Sequence, residues 1–284
     1  MYIGQEKAKA ILKDYIFATK ERYETLGHVL ISGESGGGKT TLARIIAKEL
    51  GVNFKELITS TLKNQYELLA AIQEVNGGVL FLDEVHSVPR DICESIYSIM
   101  EDFTHGGQTI KKFTLIGATT ELGELEQDRM PFVNRFKIPI ELEDYNLEEL
   151  AVMAEQYALS VFPRDEVDSS LYKIIAENSR GNPRTVIRLT EALVYMKDIN
   201  KVLRNFGIIK NGYTDKDLKI LKYVSLNDKG VGLQGLASYI GTSATNYLVR
   251  FEPLLLKKGL ILRTPRGRKI CPEGLEKIKE LENA

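Results

Sequence analysis

Short β-rich runs alternate with stretches of helical period along the first half of the chain, and the pattern changes near residue 142. The runs at 28–32, 53–57, 78–82, 113–118 and 137–141 read as strands. Between them, apolar residues return at three- and four-residue spacing. Strand and helix in alternation predict an α/β unit with a parallel sheet and covering helices. The segments 147–159, 169–178 and 184–196 read as helices throughout, broken at Phe162-Pro163 and Gly181-Asn182-Pro183. After Gly207 and Gly212 a third pattern starts: helices at 215–225, 233–240 and 244–258, a β-hairpin at 260–270 and a short closing helix. Three domains are expected, at 1–142, 143–210 and 211–284.

Composition adds little to this until charge is resolved along the chain. Hydrophobic residues at 43% and charged residues at 27% describe an ordinary soluble globular protein. Apolar runs such as Gly78-Val79-Leu80-Phe81-Leu82 are far too short to cross a bilayer, and residues 1–6 show no signal-peptide pattern. Cys93 and Cys271 are isolated, as expected of unreactive thiols in a reducing cytoplasm. The net charge of −1 conceals an asymmetry. From Tyr213 onward 13 Lys and Arg face 8 Asp and Glu, whereas the remainder has 25 basic and 31 acidic residues. A basic C-terminal third on an acidic body is compatible with a nucleic-acid partner or with a solvated face.

The chemistry concentrates in three strings. Gly33-Glu34-Ser35-Gly36-Gly37-Gly38-Lys39-Thr40 follows an expected strand and opens a helix at Thr41, the context of a phosphate-binding loop. Its glycines let backbone N–H groups turn toward phosphates, and the helix N-terminus favours the same charge. Lys39 is expected on the β- and γ-phosphates of ATP and Thr40 on Mg²⁺. Val79-Leu80-Phe81-Leu82-Asp83-Glu84 is an apolar strand ending in two carboxylates. Asp83 is expected in the Mg²⁺ shell and Glu84 on the attacking water. The strand at 113–118 ends on Thr119 and Thr120, and Thr120 is the candidate sensor of the γ-phosphate.

With these residues in place the chain resembles the RuvB family of AAA+ ATPases, which drive Holliday-junction branch migration. The resemblance runs nearly end to end. It is carried by Ile3-Gly4-Gln5-Glu6, Asp83-Glu84-Val85-His86, Met100-Glu101-Asp102-Phe103 and the string from Phe113 to Thr120. Arg180-Gly181-Asn182-Pro183-Arg184 and Arg263-Thr264-Pro265-Arg266-Gly267-Arg268 extend it. It implies an AAA+ domain, a small helical lid and a C-terminal winged helix. Arg135 falls at the arginine-finger position, reaching a neighbouring subunit's γ-phosphate. Arg184 falls at sensor 2, on the phosphates of its own subunit, with Pro183 beside it in the nucleotide-binding set. Tyr2, Ile3 and Tyr145 match an adenine pocket, and Glu101, Asp102 and Phe103 a segment beside the nucleotide. Arg263, Arg266 and Arg268 would lie in the wing on DNA phosphates.

The implied activity is ATP-dependent DNA translocation by a homo-oligomeric ring, most simply a hexamer, in recombination and repair. Two departures stand out. The family has a longer insertion after Met-Glu-Asp-Phe that forms a hairpin docking a RuvA partner. Here only the polar stretch 104–112 intervenes, which speaks against that hairpin and that partner. The chain also starts at its Ile-Gly-Gln string, without the family's usual basic, proline-containing segment, and reads as a shortened relative. The short stretch motivates a second reading, an assembly factor or decoy that binds ATP and DNA, or a host motor, without translocating. A third is another AAA+ DNA-remodelling ATPase of clamp-loader or initiator type, against which the arginine-rich wing argues.

Overall fold

The computed structural model describes residues 2–163 and 167–283. They form two compact units, residues 1–145 and 146–284. No described helix is long and apolar enough to cross a membrane.

The first unit runs α1 (Glu6–Glu21), β1 (Val29–Ser32), α2 (Lys39–Leu50), β2 (Phe54–Ile58), α3 (Gln65–Val75), β3 (Val79–Asp83) and α4 (Arg90–Asp102). It continues with β4 (Thr104–His105), β5 (Gln108–Thr109), β6 (Thr114–Thr119), α5 (Leu122–Val133) and β7 (Ile138–Glu141). The strands predicted from the sequence recur within a residue or so. They pair in parallel in the order β2-β3-β6-β1-β7. The central strands β1 and β6 are buried at every position, which requires cover on both faces. One apolar cluster joins Leu80, Leu82 and Leu115 to α3, α4 and Phe132. A second joins Val29, Ile31, Phe81 and Ile116 to α1 and α2. The strand order has a functional consequence. The loop after β1 and the ends of β3 and β6 lie side by side at one edge, where open α/β sheets bind ligands.

The second unit opens with α6 (Leu147–Val161), α7 (Ser169–Asn178), α8 (Pro183–Met196) and α9 (Ile199–Asn205). Each starts on a side-chain cap from Asn146, Asp168, Asn182 or Asp198. Then come β8 (Ile208–Lys210), β9 (Tyr213–Thr214), α10 (Asp215–Ser225), α11 (Leu233–Tyr239), α12 (Ala244–Arg250), α13 (Glu252–Lys257), β10 (Ile261–Thr264), β11 (Gly267–Ile270) and α14 (Pro272–Glu282). A third cluster, including Ile220, Leu236, Tyr247 and Leu255, packs these last helices.

Two expectations change here. The single helix expected at 244–258 is two, broken at Phe251 (φ −115°, ψ −51°). Pro253 lacks the N–H that would continue the ladder and sits in the first turn of α13. The β8–β9 hairpin was not anticipated. It turns on Asn211 and Gly212, both at positive φ, a pair that favours tight hairpins.

Candidate nucleotide site and nucleic-acid-binding wing

The loop from Gly33 to Gly38 begins where Gly33 N–H donates to Thr119 O on the neighbouring strand, at 3.2 Å. Gly36 and Gly38 adopt φ of 78° and 99°, values that L side chains resist. Lys39 opens α2 and is only 6% exposed. Its Nζ donates to Gly33 O (2.9 Å) and Glu34 O (3.1 Å), so the ammonium is folded back over its own loop. Thr40 and Thr41 follow on the first helical turn, half-buried and exposed respectively.

Two tyrosines close over this loop. Tyr145 Oη donates to Gly37 O (2.9 Å) and Tyr2 Oη to Gly38 O (3.3 Å). Burial, reinforced by Tyr145, pushes the Tyr2 hydroxyl far above its ordinary value and keeps it neutral. Gln5 fastens the N-terminal segment: its Nε2 donates to Glu143 O (2.7 Å), and Glu143 N–H donates to its Oε1 (2.9 Å). Ile3, half-buried, lies between Tyr2 and this clamp. Sequence and structure thus bring Tyr2, Ile3, Tyr145 and the phosphate loop together.

Asp83 ends β3 beside the loop. Burial raises its pKa, Glu84 adds to the rise, and Lys39 opposes it. Glu84 is turned out of the strand at φ 53°. Its Oε2 accepts from Thr120 N–H (3.2 Å) and Thr120 Oγ1 (3.1 Å), so the candidate base is tied to the candidate sensor. Two further residues bond here to which the motifs assigned no role. Thr59, 1% exposed, donates its hydroxyl to Asp83 O and Glu84 O and fixes the strand end. His86 Nδ1 is 3.0 Å from Thr119 Oγ1 and 3.4 Å from Glu84 Oε2, while its Nε2 lies 3.6 Å from Glu121. Only its place two residues after Glu84 pointed to it. Thr40 and Asp83 supply hard oxygen donors, a set that suits Mg²⁺ with phosphate and water completing its shell.

Arg135 belongs to the other edge of the sheet. Helix α5 kinks at Arg129 ahead of Pro131 and ends just before it. The guanidinium lies over the Tyr97 ring, 4.2 Å from its centre, ion-paired to Glu101 (3.1 Å) and donating to Pro131 O. Its Nε is buried without a partner among the described residues. Glu101, Asp102 and Phe103 lie with it. Phe103 packs on His28 and Phe113, which precede β1 and β6 and so sit at the strands' opposite ends from the phosphate loop. His28 is pushed down to about 4 by burial and accepts Leu115 N–H as a neutral ring. Glu101, Asp102 and Phe103, expected beside the nucleotide, therefore do not lie at the phosphate loop of their own chain. A strand's length separates them from it.

In the second unit Pro183 is the first residue of α8, and Arg184, exposed, follows it with its N–H donated to Asn182 Oδ1 (3.0 Å). The strands β10 and β11 form a wing with a Pro265-Arg266 tip, and Arg263 faces Arg268 across it. Between them Glu252, fully buried, accepts from Arg268 Nε (2.5 Å), Arg268 Nη2 (3.2 Å) and Arg263 Nη2 (2.5 Å). Burial alone would raise this carboxyl, but the Arg268 and Arg263 bonds outweigh it and hold it below the usual range.

Residues 1–142 match the Holliday junction DNA helicase RuvB P-loop domain, and residues 210–279 match the RuvB C-terminal winged helix domain. The chain belongs to the RuvB family. It is 37% identical to the Holliday junction branch migration complex subunit RuvB of Phytoplasma mali, over 95% of this chain and 88% of that protein. The same-named protein of Ehrlichia canis is 37% identical over 98% and 91%. Among solved structures, the Thermotoga maritima RuvB Holliday junction branch migration motor superimposes with a TM-score of 0.84, at 37% identity over 98% of this chain and 95% of that one.

Two readings of the RuvB-like sequence change. The stretch expected to lack a hairpin forms a short one: β4 and β5, two residues each, pair across Gly106-Gly107, with Ile110 N–H returning to Phe103 O at 2.6 Å. The short stretch therefore does not argue against a partner, and the relatives are named as subunits of a complex. In the wing, Arg268 is 13% exposed at its side chain and committed to Glu252, so it is not available to DNA as expected. Arg263 shares that carboxylate but is 60% exposed, and Arg266 stands at the exposed tip.

Proposed function

We propose that this chain is the ATP-driven DNA-translocating subunit of a Holliday-junction branch-migration motor, working as a ring of six. The observation that carries the reading is the placement of its cationic groups. Lys39 lies at one edge of the sheet with Asp83 and Glu84, and Arg135 at the other, where it can serve only a neighbour's nucleotide. A finger of this kind stabilises charge that develops on a transferring phosphoryl group. ATP with Mg²⁺ supplies the phosphoryl group and part of its neutralisation. Thr40 and Asp83 hold the ion, Glu84 orients the attacking water, and Thr120 registers the γ-phosphate by exchanging its bond to Glu84 for one to phosphate. Tyr2, Ile3 and Tyr145 hold the base end, and Arg184 takes the sensor 2 role.

The chain divides into an ATPase domain at 1–142, a lid at 143–210 and a winged helix at 211–284 that grips DNA through Arg266 and Arg263. A RuvA-type partner and a cytoplasmic setting belong to the same reading. The test is branch migration of a synthetic four-way junction with Mg²⁺ and ATP, with and without RuvA. Migration that needs hydrolysis is the expected result. ATP turnover and junction binding without migration would overturn the motor reading in favour of the decoy.

A further inference from the structure

The loop between α7 and α8 does more than present Arg184. Asn178, the last residue of α7, is fixed by its Nδ2 donating to Ile174 O (2.8 Å), and its Oδ1 accepts the N–H of Gly212 (3.0 Å). Arg180 sits at φ 59° and turns its guanidinium the same way. Its Nε donates to Gly212 O (2.7 Å), its Nη1 to Arg250 O (3.3 Å) and its Nη2 to Asp217 Oδ2. Both backbone polar groups of Gly212 are thus held by side chains from the helical segment. Asp217 is fully buried, and the same Oδ2 accepts Thr214 N–H (2.7 Å) and Thr214 Oγ1 (2.6 Å) in the capping box that starts α10. A side chain on Gly212 could not be accommodated: its Cβ would lie 2.8 Å from Arg180 Cγ, at a φ of +78°.

Exposed ion pairs hold little together, but this one has a buried partner and bonds to three separate places, the β8–β9 turn, the start of α10 and the end of α12. Tethered modules move independently unless something opposes it. The loop itself is stiff, since Asn182 N–H donates to Ser179 O (3.1 Å) and Asn182 caps α8 at Arg184. We propose that Arg180, with Asn178 and Asp217, is a coupling residue that clasps the helical segment to the winged helix, so that a displacement at Arg184 reaches the wing undiminished.

The proposal rests on the motor reading, and its test separates the two. Spin labels at Tyr195→Cys on α8 and Val249→Cys on α12, in a chain carrying Cys93→Ala and Cys271→Ser, report the spacing of the two segments. The parent should give one narrow distance distribution that ATP leaves unchanged. Arg180→Ala should broaden it, keep DNA-free hydrolysis within about twofold, and cut junction migration per ATP by about tenfold, inside the range of ordinary coupling energies. Arg180→Lys, which retains a cation for Asp217, should recover part of that loss. Arg180→Met, which keeps the aliphatic stem and removes only the guanidinium, attacks the same clasp and serves if Arg180→Ala does not fold. A folded clasp variant with a narrow distribution and the parent's migration per ATP overturns the coupling role. A parent that never migrates a junction overturns the motor reading, while the label distances still decide the clasp.

Discussion

At the scale of single residues, the nucleotide site is a set of groups occupied with one another. Lys39 spends its protons on carbonyls of its own loop, and Glu84 is held by Thr120. Both bonds are replaceable by phosphate or water, which separates the two roles experimentally. Lys39→Ala should abolish tight nucleotide binding. Glu84→Gln keeps an oxygen for the Thr120 bond, so it should bind nucleotide as the parent does and slow phosphate release by about 10²-fold or more, the usual scale for general-base catalysis. Equilibrium nucleotide binding and phosphate-release rates check the pair, and a Glu84→Gln protein with parental turnover would remove Glu84 from its role. Lys39, Asp83 and Glu84 were legible in the sequence because phosphate chemistry demands fixed residue types at fixed spacing. Thr59 was not, because a buried threonine that bonds two main-chain oxygens leaves no local pattern.

At the scale of elements, the wing shows where sequence reading stops. Its strands were legible from β-rich runs around Thr-Pro-Arg-Gly. The fates of its three arginines were not, since they depend on Glu252, which the break at Phe251 and Pro253 delivers to the wing's inner face. The structure therefore divides the arginines by role. Arg268→Ala leaves a buried carboxylate with only the largely exposed Arg263, and should destabilise the wing by about 3 kcal/mol. Arg266→Ala should leave stability unchanged, weaken junction and duplex binding by similar factors, and make the salt slope shallower by about one unit. Hydrogen exchange across β10 and β11 and salt titrations of DNA binding measure the two effects. Coincident titrations for Arg266→Ala and the parent would take the tip out of the DNA contact. The same limit applied to the β8–β9 turn: Asn211-Gly212 is a hairpin signal, but the strands of three and two residues beside it carry too little pattern to be seen.

At the scale of the molecule, one parallel sheet holds Lys39 at one edge and Arg135 at the other. A subunit lacking the finger should still bind ATP. Arg135→Ala is expected to leave nucleotide affinity near the parent's and to slow assembled turnover by about 10³-fold. Mixed with Lys39→Ala, which keeps its finger, it should regain hydrolysis at hybrid interfaces. A co-assembled mixture with no recovery would count against service in trans. The fold class was legible at this scale because buried parallel strands and covering helices have distinct periods. The separation of Glu101 and Phe103 from their own phosphate loop was not, because a string read along the chain does not say at which end of the strands it falls.

The sheet also acts as a ruler. Its six-residue central strand spans about 20 Å at the usual rise per residue, and pairing with β1 and β3 on its two sides holds that length fixed. In any assembly that uses Arg135 in trans, the gap between successive nucleotides includes that fixed length. In such an assembly any opening and closing falls at the joints between subunits, and the interval across each sheet stays constant.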